Sequence, residues 1–371
     1  MRVLVVGGGP AGLTAAIALR GRGAEIDLVE ATAEAAILGT GLSLGGAPLR
    51  ALRTIGLAER CVQAGFGSST LSIGTAEGEV VRVVDRPRLN GPDQPSAVGI
   101  MRPALHAVLW DEMLRRGTHV RRGVTVRSLT QQAGAVEVVG SDGVRARYDL
   151  VVGADGLRST TREMVFGDAE QPWFTGQRVW RTTLPRPPEV TGGAMYYGPV
   201  NKAGLTPVSA TQMYLFLVEN IAAPERPPRD RLAELLRAQL AGYGGLIGRL
   251  REQITDDRRV DCRPLYALLL SPPWYRGRVV LIGDAAHSTT PHLAAGAGLA
   301  IEDALVLAEE VTSDLPVEEA LTRFMTRRYE RCRAVVENSL QLGEWEKRPS
   351  DATADPVGLS QRTWDILAQP I

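Results

Sequence analysis

The sequence predicts an α/β protein in two lobes: a parallel-sheet domain assembled from separated segments, and a mainly antiparallel β lobe inserted between them. Three observations lead there. The first thirty residues alternate strand, helix and strand. From Glu170 to about Arg263 the texture changes to short β-patterned stretches, punctuated by proline clusters at Pro185–Pro188 and Pro224–Pro228. At Arg278 the α/β pattern returns and two long helical patterns follow.

Arg2–Val6 reads as a buried strand, Ala11–Arg22 as a helix and Glu25–Glu30 as a second strand. Pro48–Arg60 is amphipathic and predicts one helix. Thr70–Val84 predicts strands around a turn at Glu77-Gly78, and Arg86–Pro95 is a Pro/Gly-rich loop. Arg102-Pro103 opens a helix to Arg116, its apolar stripe carried by Leu105, Leu109 and Met113. Val124–Val139, turning at Gly134, and Arg145–Val152 predict short strands that lead to Gly153-Ala154-Asp155-Gly156. In the inserted lobe, strands are expected at Arg178–Leu184, Ala194–Tyr197 and Gln212–Val218, with one helix at Arg229–Tyr243. Helices Ala297–Val311 and Pro316–Glu337 follow, and the tail after Pro349 is expected to be a loose extension with a short helix.

The composition narrows the class further. A chain of 371 residues that is 44% hydrophobic can bury a sizeable core, and zero formal net charge gives no support for a nucleic-acid or anionic-membrane partner. Cys61, Cys262 and Cys332 are odd in number and far apart. They suggest neither a metal site nor a disulfide framework, so a reducing cytoplasm is expected. The N-terminus lacks a signal-peptide layout, and no apolar run is long enough to span a bilayer.

Gly7-Gly8-Gly9-Pro10-Ala11-Gly12 matches G-x-G-x-x-G between a strand and a helix. Gly7 permits the tight turn, Gly9 lets the backbone approach a pyrophosphate, and Gly12 allows close helix–strand packing. Glu30 ends the second strand, followed by Ala31, where a carboxylate accepts hydrogen bonds from a ribose 2′-hydroxyl. The motif implies a dinucleotide without a 2′-phosphate; it does not separate FAD from NAD.

Two more segments accompany it: Gly153-Ala154-Asp155-Gly156 with Ser159 and Arg162, and Gly283-Asp284-Ala285-Ala286-His287 with Pro291 and Gly296-Ala297-Gly298. In this order and spacing the three resemble the single-component FAD-dependent aromatic monooxygenases, in particular the salicylate, 3-hydroxybenzoate and urate hydroxylase-like members. The resemblance implies a Rossmann-like, glutathione-reductase-type FAD domain. Residues 1–70, 98–168 and 270–345 would form it, 71–97 and 169–269 a β-sheet substrate domain, and 346–371 a C-terminal extension. It also explains why a second glycine-dotted loop lies so far along the chain. Asp284 would accept from the ribityl hydroxyls, and the helix opening at Gly296, Ala297, Gly298, Leu299 and Ala300 would turn its N–H groups toward the isoalloxazine.

Further roles follow from the resemblance alone. Pro10 and Ala11 belong to the phosphate loop, Arg102 would reach the pyrophosphate or ribityl chain, and Val126 would pack beside the adenine. Gly41 and Ser43 would lie near the isoalloxazine, with Asp155 in a loop that serves FAD and NAD(P)H. NADH or NADPH would reduce the flavin transiently. O2 would then form a C4a-hydroperoxide that hydroxylates a small aromatic or heteroaromatic substrate, in a monomer or homodimer without a metal. Pro291 would lie against the flavin, and His292 beside it is a candidate for moving a proton. Arg181, Lys202 and Tyr214 are candidate substrate contacts. His287 reads as structural, and His106 and His119 have no partner implied.

The chain departs from the pattern in two places. Ala35-Ala36-Ile37 replaces the arginine usual before Gly39, which bears on NAD(P)H docking. Ala297 and Ala300 replace the usual glutamine and asparagine, where backbone N–H groups still serve. Epoxidation, Baeyer–Villiger oxidation and alkene reduction remain open on the same scaffold. A non-redox GDI-like binding protein and a plain NAD dehydrogenase are the rivals outside it.

Overall fold

The computed structural model describes residues 1–33, 40–167 and 170–371. Its first sheet has six strands in the order Tyr275–Arg276, Val279–Leu281, Leu150–Gly153, Arg2–Val6, Glu25–Glu30 and His119–Arg122, all parallel except the first pair. Val3, Leu4 and Val5 are fully buried, as expected for a strand covered on both faces. Helices Pro10–Gly21, Arg102–Arg115 and Gly296–Val311 share one core with this sheet.

The second large sheet has eight strands in the order His287–Ser288, Val260–Leu269, Trp173–Pro185, Gln212–Asn220, Asn201–Pro207, Gly193–Tyr197, Thr70–Thr75 and Val80–Asp85. Gly193–Tyr197 runs parallel to Thr70–Thr75, and the other pairs are antiparallel. Side chains alternate across it. Trp180, Leu215 and Leu217 pack on helices Leu232–Gln239 and Gly245–Arg251. Val179, Arg181, Tyr214, Phe216 and Val218 line a cavity against the parallel-sheet domain. Two three-stranded sheets complete the fold.

Several elements depart from the sequence reading. Pro48–Arg60 is not one helix: Gly46–Arg53 and Ala58–Ala64 are separated at Gly56, whose φ of 77° suits glycine. Arg145–Tyr148 and Leu150–Gly153 belong to different sheets, divided at Asp149, whose carboxylate accepts from the Arg2 N–H at 2.7 Å. The Arg229–Tyr243 helix shortens to Leu232–Gln239 after a 3-10 turn, and strands Asn201–Pro207 and Val260–Leu269 join the sheet unforeseen.

The largest departure is at the C-terminus. The helix expected to stop at Glu337 runs from Val317 to Lys347, two residues short of Pro349. The tail is no loose extension. Asp355 caps helix Pro356–Ala368 by accepting from Gly358 N–H at 2.8 Å. Arg50 and Arg331 then donate to the carbonyls that end it, from Ile366 to Gln369. No helix among the described residues is long and apolar enough to cross a membrane.

Candidate active site

One cavity of about 1200 Å³ joins the glycine loop, the Gly283-Asp284 turn, the N-terminus of helix Gly296–Val311 and the inner face of the eight-stranded sheet. It exceeds the usual span of small-ligand pockets, ~300–1,000 Å³, as a site for an extended cofactor and a substrate would. Its walls include Gly9, Pro10, Ala11, Glu30, Gly41, Ser43, Arg102, Asp284, Pro291, His292 and Gly296 through Ala300, with Arg181, Lys202 and Tyr214 from the sheet.

The glycine loop passes a steric test for a phosphate cradle. A Cβ on Gly7 would lie 2.4 Å from the Ala154 carbonyl oxygen, and one on Gly12 would lie 2.0 Å from the Gly7 oxygen. Both glycines serve close packing, and Gly7 also has φ of 107°. A Cβ on Gly9 would meet nothing within 4 Å, so the backbone there faces open cavity. Glu30 is fixed at the wall by N–H groups of Gly8 at 2.7 Å and Thr32 at 2.8 Å. Beside it His106 hydrogen-bonds the Gly8 carbonyl and stacks on Trp110, over which the Arg122 guanidinium sits at 4.1 Å. The sequence assigned none of these three, because only the fold brings helix Arg102–Arg115 and the end of strand His119–Arg122 beside the glycine loop.

Asp284 presents its carboxyl to the cavity. Its accessible surface faces that interior space rather than bulk solvent, and this desolvation pushes its carboxyl up, partly opposed by His287 and Arg102. The turn behind it is rigid. Asp303, fully buried, accepts from Gly283 N–H at 2.9 Å, from Arg328 Nε at 2.8 Å and from His287 Nε2. Burial alone would raise the Asp303 carboxyl, yet His287 and Arg328 hold it low. His287, Asp303 and Cys332 approach within 4.8 Å, but the Arg328 cation already bonds two of the three, Asp303 Oδ1 at 2.8 Å and Cys332 Sγ at 3.6 Å. This structural network ties the cavity-facing turn to helices Gly296–Val311 and Val317–Lys347.

Besides Gly7 and Gly12, which pack behind the loop, three expected site residues lie outside the cavity. Asp155 does not face the cavity: it accepts from Thr161 N–H and Thr161 Oγ1, both at 2.9 Å, and from Ser159 Oγ, fixing the start of helix Thr160–Phe166. Val126 is buried in a separate core with Val124, Val136 and Tyr148. Ala31 is exposed and does not line the cavity. Ala35-Ala36-Ile37 lies outside the described residues.

Opposite Asp284 the cavity carries a buried ion cluster absent from the sequence reading. Lys202, 5% exposed, pairs with Glu346, so its ammonium is neutralised from within and is not free for substrate. Glu346 also receives His292 Nε2 at 3.1 Å, while His292 Nδ1 lies 2.8 Å from Thr290 Oγ1. Burial alone would raise the Glu346 carboxyl, but Lys202 and His292 hold it at about 2. Burial and the neighbouring Lys202 lower His292, leaving the imidazole neutral near pH 7. The tautomer follows. A carboxylate accepts, so Nε2 carries the proton, and Nδ1 offers its lone pair to the Thr290 hydroxyl. No local pattern announced Glu346, nine residues beyond the expected helix end.

The family model described as "FAD binding domain" matches residues 1–339. The 2-heptyl-3-hydroxy-4(1H)-quinolone synthase of Pseudomonas aeruginosa is 30% identical over 359 residues, covering 93% of this chain and 90% of that protein. The FAD-dependent urate hydroxylase of Klebsiella pneumoniae is 29% identical over 355 residues, covering 91% and 88%. The structure of Klebsiella pneumoniae HpxO complexed with FAD and uric acid superimposes with a TM-score of 0.85 at 25% identity, covering 99% of this chain and 92% of that one.

Proposed function

The chain belongs to the FAD-binding family of flavin monooxygenases, and from that premise we propose that it hydroxylates a small aromatic or heteroaromatic compound in this cavity. One atom of O2 enters the substrate as hydroxyl, the other leaves as water, and NAD(P)H with a proton supplies the two electrons. Bound FAD would relay those electrons to oxygen. The observation that carries the reading is the continuity of one cavity from the Gly9 and Glu30 cradle to the sheet-facing cluster around His292.

The chain's own residues position, shield and move a proton. Gly9 and the N–H groups opening helix Gly296–Val311 would hold the anionic phosphates and the electron-rich edge of the cofactor, with Arg102 between them. Asp284 would accept from the ribityl hydroxyls. Pro291 and Tyr214 close the substrate space. A phenolic proton passes through the Thr290 hydroxyl to His292 Nδ1, and Glu346 stabilises the imidazolium that results. Deprotonation makes the ring more electron-rich, which favours transfer of an electrophilic oxygen. The test is NAD(P)H oxidation by the FAD-loaded protein with a panel of hydroxylated aromatics under 18O2. A product two mass units heavier than that formed in 16O2 supports the reading. Oxidation that yields only hydrogen peroxide with every compound, or incorporation from water, counts against it.

A further inference from the structure

The inner face of the eight-stranded sheet carries one cross-strand row in register, from Arg181 through Phe216, Gly204, Met195 and Ile73 to Arg82. All but Gly204 line the cavity. Gly204 sits in the middle of strand Asn201–Pro207, where a glycine ordinarily weakens a strand because it has no side chain to pack. Its φ is not in the left-handed range, so the backbone does not call for glycine. What fills the position is Phe216. A Cβ on Gly204 would lie 2.3 Å from Phe216 Cζ and 2.5 Å from Cε1. The far end of the ring therefore lies low over the neighbouring strand instead of standing out into the cavity.

Tyr214, two residues along the same face, is seated in the same manner: a Cβ on Gly41 would meet its Cδ1 at 2.3 Å. The two ring centroids are 5.9 Å apart and the rings are tilted by 39°. Between the arginines at its ends the row is apolar, and from Phe216 to Met195 it crosses two strand spacings, about 10 Å. A single six-membered ring covers only part of such a floor. Two fused rings cover it, and gain the buried apolar area and the ring contacts that go with it. How deep the space above this floor is depends on how low Phe216 lies.

We propose that Gly204 and Phe216 are a specificity pair: Gly204 keeps the Phe216 ring down on the sheet, and the depth so gained admits a fused two-ring aromatic substrate. The proposal rests on the reading of the cavity as a hydroxylation site and adds the size class of what enters it. A side chain at position 204 would lift the ring into the space that the second substrate ring needs, and overfilling of that kind weakens binding by about ten-fold or more.

The test uses the FAD-loaded protein with phenol and 2-naphthol as one-ring and two-ring probes, Kd being read by calorimetry at pH 7. The unmodified protein should bind 2-naphthol more tightly. Gly204→Ala should weaken 2-naphthol by about ten-fold or more and phenol by no more than about three-fold. Adding Phe216→Leu to that variant should return most of the lost affinity, because the two residues act through one contact. The Ala194 carbonyl oxygen lies 2.9 Å from the same Cβ position, so Gly204→Ala also presses on the strand. Phe216→Trp leaves the glycine in place, overfills the same hollow and should show the same selective loss; it decides the matter if thermal melting shows that Gly204→Ala is unfolded. Equal losses for the two probes, 2-naphthol binding unchanged in the folded variants, or no recovery in the double variant overturns the proposal. Binding that follows this size rule without any hydroxylated product from NAD(P)H and O2 would instead be a failure of the hydroxylase reading, and the size limit would stand.

Discussion

Replacing Glu346 by glutamine isolates the ion cluster with little change of shape. Lys202 loses its counter-charge and the His292 Nε2 proton loses its carboxylate acceptor. The displacement of the Glu346 carboxyl from its ordinary 4.5 to about 2 corresponds to about 3 kcal/mol of stability at ~1.4 kcal/mol per unit. An independent expectation agrees, since removing one partner of a buried pair costs roughly 3–5 kcal/mol. The sign sets the pH dependence. A carboxylate depressed in the folded state contributes fully above pH 4.5, and the contribution fades as pH falls toward 2, to roughly half near pH 3. Urea unfolding of the two proteins should therefore show a gap of about 3 kcal/mol at pH 7 that narrows steadily below pH 4.5. A gap under ~1 kcal/mol at pH 7, or one that does not narrow in acid, would refute the pairing on which the proton route depends.

Other substitutions separate cofactor, proton and scaffold roles. His292→Ala should lower substrate-stimulated kcat by roughly ten- to a hundred-fold, less than the ~10²–10⁴ seen for general bases at their strongest, because a phenol is already a weak acid. It should also remove an acid limb lying below pH 6.5, where burial places this imidazole; an unaltered pH–rate profile would exclude the residue. Gly9→Val should leave the fold intact but weaken FAD binding, since its side chain enters open cavity, whereas Gly12→Ala should destabilise the protein itself by colliding with the Gly7 carbonyl. Equal effects on melting would contradict that division. Asp155→Ala should cost about 1 kcal/mol in stability through loss of the helix start and leave FAD affinity unchanged, as titration of bound flavin would show.

How far the molecule was legible in its sequence depended on how local each feature is. Strand Arg2–Val6 appears as read because burial on both faces leaves an apolar run from Val3 to Val6, and Glu25–Glu30 appears as read around the buried Ile26, Leu28 and Val29. The glycine loop and the Gly283-Asp284 turn are features of backbone geometry, which short-range pattern reports well, and Gly9 and Asp284 both line the cavity. Side chains whose meaning depends on a distant partner were read less well. Asp155 has the same neighbours whether it caps a helix or faces a cofactor, and the structure turns it to Thr161. Lys202 invited a substrate role until a helix running ten residues past its expected end delivered Glu346. The tail looked polar along its length, yet Arg50 and Arg331, far upstream, hold its final carbonyls.

The most direct test of the account is a visible absorption spectrum of the purified protein incubated with FAD, recorded before and after NADH in air. The account predicts stoichiometric flavin bands that bleach slowly alone and many times faster when a hydroxylated aromatic substrate is present. Failure to retain FAD, or bound flavin that neither NADH nor NADPH reduces with any aromatic present, would contradict it.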